Sequence, residues 1–399
     1  MNQLKAIKLR VYPTVEQQEQ LPQMFGNSRF VFNYMLNLQR FVYRHKRADS
    51  KGHLSRFDMN YLMPKLKRKY PWLKQSDSTA LLEACNHVDV AYQRFFQHIG
   101  GFPRFKKRSH YESYTALCVT NNIRHRDGNQ LRLPKLGWVR TQPITIKGTI
   151  KNATISVTPR GHYFVSVLVE QDVRPNPKTE NVIGVDLGLR NLINLSNGVK
   201  YKSLKFAEID RQIKLWQRKY ARRVINAKKQ VQIDNQYQSK FGQFDFDEQY
   251  RNLPWFERRG VVAARKRIAK LYDKKANYRK DYLQKLSTRL INQYDVIVFE
   301  DLKIKNMVKN HHLARAIGEQ GWAMLVSMCE YKAQWYGKTV IKVKPNNTTQ
   351  TCSDCGYLCR GDEHLDLGVK HWVCPDCGVI HDRDKNAANN ILNAGLATL

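Results

Sequence analysis

The chain begins with an alternation. Leu4 to Tyr12 sets apolar residues against Lys5, Lys8 and Arg10 at a largely twofold period, the pattern of a half-exposed basic strand. Pro13 ends it, and Thr14 with Gln17 three positions later is a capping-box signature that predicts a helix through Leu21, Met24 and Phe25. Helical spacing continues toward residue 100, most plainly over Ser78 to His98, where Leu81, Leu82, Cys85, Val88, Ala91, Tyr92 and Phe95 recur. Gly100 and Gly101 then break the helices. Beyond them Ala153 to Thr158 and Tyr163 to Val169 alternate around Pro159-Arg160-Gly161, a hairpin signal, and the strand at Leu4 is free to join that sheet. Gln171 to Asn181, with Pro175 and Pro177, reads as a linker.

The second half has a different rhythm. Asn181 to Ser203 predicts three short strands, the last two joined by an Asn197-Gly198 turn. Two basic helical patterns follow, at about Ser203 to Gln230 and Gly260 to Tyr294. Between them Val231 to Phe256 is rich in Gln, Asn, Asp and aromatics, and its pattern assigns no element. Asp295 to Glu300 is a short apolar run suited to a buried central strand. Gly318 to Tyr336 predicts an amphipathic helix with Gly337 at its C-cap, and Thr339 to Val343 a further strand. Helices alternating with strands make this half α/β.

With 399 residues, 42% of them hydrophobic, the chain can bury a sizeable core and divides naturally into two or more domains. Its 68 Lys and Arg stand against 34 Asp and Glu, a formal charge of +34 that self-repulsion disfavours unless a polyanion neutralises it. A membrane surface is also a polyanion, but aromatics interleave the cations, as in Leu215 to Arg223, which suits phosphate contact combined with base stacking. Nucleic acid is therefore the expected partner. The basic cluster Arg104, Lys106, Lys107 and Arg108 beside two Phe residues, together with Trp138, are the candidate contacts; a solvated basic loop is the plain alternative. No apolar run approaches the ~18 to 20 residues of a membrane span, and no signal-peptide core follows Met1, so a reducing cytosol and no membrane partner are expected.

Of eight cysteines, Cys352, Cys355, Cys374 and Cys377 form two Cys-x-x-Cys pairs separated by 18 residues, whereas Cys85, Cys118, Cys329 and Cys359 are scattered. That spacing predicts a closed four-sulfur Zn2+ site with a structural role, and makes Cys359 and His364 bystanders. Three acidic segments carry the other chemistry. Asp186 interrupts the apolar strand Val182 to Leu187, Glu300 ends the run Val296 to Phe299, and His381 to Asn390 offers Asp382 or Asp384. Hydrolysis of a phosphodiester by two divalent ions needs converging carboxylates, and Mg2+ suits such hard oxygen ligands. Singly, Glu300 and Asp384 read about as well as a strand-end acid and an N-cap, and Asp186 also admits a turn or capping role.

Together these segments resemble the TnpB (OrfB) family encoded by insertion sequences, relatives of the type V CRISPR effectors. The likeness extends over Arg29 to Asn33, Gly101 to Lys106, Leu133 to Trp138, Gly184 to Gly188, Phe299 to Leu302, Trp335 to Gly337 and Asp382 to Ala388. It implies that Asp186, Glu300 and Asp384 are the catalytic Mg2+ ligands, and it selects Asp384 over Asp382. It implies a multidomain α+β fold: a RuvC-type, ribonuclease H-like nuclease domain at 181–345 and 380–399 with a helical hairpin at 203–294, and an inserted zinc ribbon at 346–379. A β-rich wedge domain at 1–12 and 105–175 would carry a helical recognition lobe at 13–104. The implied function is an RNA-guided DNA endonuclease, acting as a monomeric ribonucleoprotein in the bacterial cytosol near the nucleoid. Its guide RNA would come from the element's right end and pair with target double-stranded DNA beside a short transposon-adjacent motif. The rival readings are a carboxylate-triad DNA transposase, a guide-independent RuvC-type nuclease and a non-catalytic RNA-binding regulator.

Overall fold

The computed structural model describes residues 2–45, 52–108, 112–241, 254–366 and 368–399. Its contacts divide the chain into Met1–Asp172 and Val173–Leu399. In the first unit β1 (Asn2–Tyr12) leads into α1 (Val15–Arg44), α2 (Arg56–Lys69) and α3 (Ser78–Phe96). Strands β2 (Glu112–Leu117), β3 (Arg124–Arg126), β4 (Gln130–Leu133), β5 (Gly137–Thr141), β6 (Thr149–Val157) and β7 (Tyr163–Asp172) follow. They form one sheet in the order β2-β6-β7-β1-β5-β4-β3. The predicted hairpin is β6–β7, closed at Val157↔Tyr163, and β1 does join it, paired antiparallel with β7 from Asn2↔Asp172 to Val11↔Tyr163.

Local signals explain where the helices start. Thr14 and Gln17 make the reciprocal capping box at α1, Ser55 and Asp58 make another at α2, and Asp77 caps α3. One sheet face buries Leu9, Val11, Leu131, Val139, Ile155, Val165 and Val167 against Leu21 and Phe25 of α1. A second cluster joins the rest of α1 (Val31, Met35, Leu36) to Met59, Met63, Leu81, Val88 and Tyr92.

The second unit is a five-stranded sheet, β10-β9-β8-β11-β12, from β8 (Val182–Leu187), β9 (Asn191–Leu195), β10 (Lys200–Lys202), β11 (Val296–Glu300) and β12 (Thr339–Val343). Strands β8, β11 and β12 are parallel, while β9 and β10 pair antiparallel. Between β10 and β11 run the long helices α4 (Ala207–Phe241) and α5 (Arg259–Gln293). After β11 come α6 (His311–Gln320) and α7 (Trp322–Tyr336); β13 (His371–Val373), β14 (Ile380–Asp382) and α8 (Arg383–Leu396) follow β12. One face of the sheet packs Ile183, Val185, Leu187, Ile297 and Phe299 against Leu283, Leu286 and Leu290 of α5 and Leu325 and Cys329 of α7. The other face puts Val298 and Val343 against Ile391 of α8.

Two expectations need correction. The single helix predicted over Gly318 to Tyr336 is two, because Gly321 has φ +73° and the turn packs on Leu283 and Arg279. The basic helix predicted to end near Gln230 continues to Phe241, so part of the unassigned segment is helical; residues 242–253 of it lie outside the described residues. The linker is tied down on its C-terminal side: the Thr179 and Glu180 N–H groups each donate to Asp295 Oδ2 at 2.8 Å, and Lys338 Nζ donates to Pro177 O at 2.7 Å.

Candidate metal centre and nuclease site

Register puts two of the predicted acids side by side. Val185 pairs with Phe299 across the parallel strands β8 and β11, so Asp186 and Glu300 stand level at adjacent carboxyl ends, where open α/β sheets characteristically bind ligands. Alternation along each strand gives Asp186 the face of Gly184 and Glu300 the face of Val298, and α8 covers that face closely. A Cβ on Gly184 would lie 2.0 Å from Ala388 O, and one on Gly395 2.4 Å from Val298 Cγ1. Glycine is needed at both contacts because backbone and branched side chain leave no room for a methyl group. This tight seat brings the first turn of α8, with Asp384, to the strand ends.

The segment that left two aspartates open divides its labour. Asp382 is the N-cap, its Oδ1 accepting from the Asp384 and Lys385 N–H groups at 3.0 Å each, and its other oxygen meets Lys200 Nζ at 2.7 Å. Asp384 is left to face Lys370, whose Nζ lies 3.2 and 3.4 Å from its two oxygens. Asp186 Oδ2 accepts from Asn194 Nδ2 at 3.0 Å, and Glu300 Oε1 from Thr348 Oγ1 at 2.6 Å.

Burial pushes the Asp186 carboxyl up to about 7; its Asn194 hydrogen bond opposes this, the Glu300 and Asp384 charges reinforce it, and Lys370 opposes it. Burial also raises Glu300, against the Thr348 hydrogen bond. Carboxylates crowded this way want a cation, and the hard oxygen set fits divalent ions. Among the described residues the oxygens of the three acids do not all lie within 4.8 Å of one another, as the four sulfurs below do. A site for two ions ~3.5 to 4 Å apart spans such a spread.

Cys352, Cys355, Cys374 and Cys377 Sγ all fall within 4.8 Å of one another, with Cys352–Cys377 at 3.7 Å and Cys355–Cys374 at 3.6 Å. A tetrahedron with ~2.3 Å metal–sulfur bonds has edges of ~3.8 Å, so the four thiols fit one such ion. Gly356 and Gly378, at φ +81° and +70°, make the turns after the second cysteine of each pair. Cys359 is buried in a small core with Leu365 and Trp372, a packing role.

Sequence reasoning missed four neighbours. His381 Nε2 lies 3.0 Å from Cys352 Sγ and 3.6 Å from Asp354, its ring against Trp372 at 4.7 Å, a support for a sulfur ligand. Asn194, Thr348 and Lys370 reach the acids only through strand pairing and ribbon folding, which no local pattern announces. The five predicted nucleic-acid contacts all lie in the first unit. Arg104, Lys107 and Arg108 are exposed. Lys106 has its backbone tied to Asn33 and its ammonium 4.1 Å from the Phe32 ring centre, whereas Trp138, 37% exposed, carries the Arg126 guanidinium 4.5 Å away.

Comparison with known proteins decides the kinship. A protein of Streptomyces pristinaespiralis named "Putative RNA-guided DNA endonuclease" is 33% identical over 100% of this chain and 91% of its own length. The chain belongs to the TnpB (OrfB) family. Another relative, "Putative RNA-guided DNA endonuclease InsQ" of Escherichia coli strain K12, is 28% identical over 100% of this chain and 94% of its own. Family profiles match residues 164–311 (OrfB, "Probable transposase"), 322–391 ("Cas12f1-like, TNB domain") and 1–47 ("Helix-turn-helix domain"). Within that last stretch residues 2–45 of this TnpB-family chain are one strand and one long helix, α1. A solved mini-RNA-guided endonuclease, CRISPR-Cas_phi3, aligns at 11% identity and a TM-score of 0.47 over 99% of this chain and 92% of that one. Among the described residues no helix is long and apolar enough to cross a membrane.

Proposed function

We propose that this TnpB-family chain is an RNA-guided DNA endonuclease that cuts double-stranded DNA complementary to its guide. The convergence of Asp186 and Glu300 at the carboxyl ends of two neighbouring central strands, under the α8 turn that carries Asp384, is the observation that carries the reading. Full-length likeness to relatives bearing that name supports it. In this reading the second unit is the RuvC-type nuclease, 346–379 its zinc ribbon, the seven-stranded sheet the wedge domain and α1 to α3 the recognition lobe. Asp186, Glu300 and Asp384 would hold Mg2+, which activates water and steadies charge on the attacking and leaving oxygens. Asn194 and Thr348 orient Asp186 and Glu300 for that task, and Lys200, engaged by Asp382, leaves Asp384 to the ions. Zn2+ on the four cysteines would be structural, since four sulfurs leave no open position.

The guide would be an RNA from the element's right end held by the basic surface, and the particle a monomeric cytosolic ribonucleoprotein that reads a short transposon-adjacent motif. The first-unit cluster Arg104, Lys106, Lys107, Arg108 and Trp138 is proposed to touch RNA or DNA. The test is to purify the chain, sequence the RNA that accompanies it, and assay magnesium-dependent cutting of matching duplex. Cleavage that ignores the RNA sequence would overturn the guided reading. The description "Probable transposase" attached to residues 164–311 favours a second reading, a carboxylate-triad recombinase; RNA-independent strand transfer of element ends would establish it.

A further inference from the structure

The ammonium of Lys370 sits where the proposed site needs an ion. Its Nζ lies 3.2 and 3.4 Å from the two Asp384 oxygens, and the Lys370 and Asp384 side chains are 37% and 22% exposed. Its backbone is fixed rather than loose: Lys370 O accepts from the Arg383 N–H at 2.9 Å, and the next residue pairs with the Asp384-proximal strand at His371↔Asp382. Four residues further on, Cys374 belongs to the four-sulfur cluster. The ribbon therefore delivers this lysine to Asp384 as a built contact, while the flexible four-carbon stem leaves the ammonium free to swing away.

We propose that Lys370 is the resident counter-ion of the carboxylate cluster, occupying Asp384 when divalent ions are absent and yielding it when they bind. A divalent ion bonded to Asp384 sits ~2.0 to 2.1 Å from an oxygen, in the space before the carboxylate that the ammonium fills, and two cations repel strongly there. The lysine thus holds the third acid in position before the metal arrives and sets the ion concentration at which the site loads. Sequence spacing alone hides this role, because Lys370 is neither acidic nor part of the cysteine pairs.

This inference rests on the reading of Asp186, Glu300 and Asp384 as divalent-ion ligands, so the experiment separates the two. The full chain, stripped of nucleic acid and with its ribbon ion retained, is titrated with Mn2+ while the free ion is followed by its paramagnetic resonance. Wild type binds, Asp384→Asn binds weakly, and Lys370→Met and Lys370→Gln bind about threefold to tenfold more tightly because the competitor is gone. Lys370→Arg, which keeps the charge, and Lys385→Met, which removes an equal charge from an exposed neighbour, stay within about twofold of wild type. Unchanged or weaker binding by both neutral Lys370 variants, with Asp384→Asn still weak, overturns the inference and leaves the carboxylate reading standing. An equal gain from Lys385→Met also overturns it, since general electrostatics then suffices. Wild-type binding by Asp384→Asn overturns the carboxylate reading itself.

Discussion

Replacing Asp186 by Asn should make the metal-free protein more stable, and the gain should depend on pH. The Asp186 carboxyl titrates near about 7 in the fold, chiefly because it is buried, with the Glu300 and Asp384 charges adding to the effect. In an unfolded chain an aspartate titrates near ~3.9. Between those values the folded state holds a proton that the unfolded state has released. Stability is therefore fully present below pH ~4, falls as pH rises through the window, and by pH ~8 has lost up to roughly 4 kcal/mol. Asn has the same shape, can still accept from Asn194 and never ionises. The variant and the wild type should thus differ by only roughly 1 kcal/mol near pH 4.5 in magnesium-free buffer with the ribbon ion retained. At pH 8 the variant should be stabler by roughly 2 to 4 kcal/mol, a rise in Tm of roughly 5 to 15 °C for a unit of this size. Added Mg2+ should close the gap by stabilising the wild type alone. Urea unfolding at both pH values measures it, and a variant that is no stabler at pH 8 than at pH 4.5, relative to wild type, refutes the argument.

Other outcomes follow from the same geometry. Asp186→Ala, Glu300→Ala or Asp384→Ala should each reduce guided cleavage to the assay background while RNA retention on purification is unchanged; a variant cutting at the wild-type rate would drop out of the site. Gly184→Ala forces a methyl group onto the Ala388 carbonyl 2.0 Å away and should cost about 1 to 3 kcal/mol, seen as a lowered Tm, by pushing α8 off the sheet. Stripping the ribbon ion should raise hydrogen exchange from His371 through Asp384, since six residues separate Cys377 from that acid; protection unchanged there would uncouple the ribbon from the site. His381→Phe keeps the packing on Trp372 but removes the nitrogen 3.0 Å from Cys352, and should lower ribbon zinc affinity about 10- to 100-fold in a chelator competition.

Where local physics decides, the sequence was a good guide. The Thr14–Gln17 capping box, the β6–β7 hairpin and the four-cysteine cluster all rest on neighbours in sequence or on fixed spacing, and each stands as read. Asp186 reads as an acid within an apolar strand and Glu300 as the end of another, and register makes them level. What escaped was set at a distance. Nothing near Gly321 announces that a left-handed turn will seat on Leu283, so a continuous helical pattern concealed two helices. The choice between Asp382 and Asp384 rests on resemblance; in the structure one oxygen of Asp382 caps the helix and the other meets Lys200, while Asp384 meets Lys370. Lys370, Asn194 and Thr348 became visible only once chain segments far apart had paired.

The close seat of α8 on Gly184 and Val298 also orders events during synthesis. Strands β8, β11 and β12 leave the ribosome first and can already collapse on α5 and α7, because that face of the sheet needs nothing later. The opposite face must wait, bare, until the cysteine segment has emerged and α8 after it. On the proposed function, a polypeptide still under translation would carry Asp186 and Glu300 without Asp384, and would be inactive. If the four cysteines hold an ion as proposed, its capture, immediately upstream of that helix, would be the last folding step before the three acids come together.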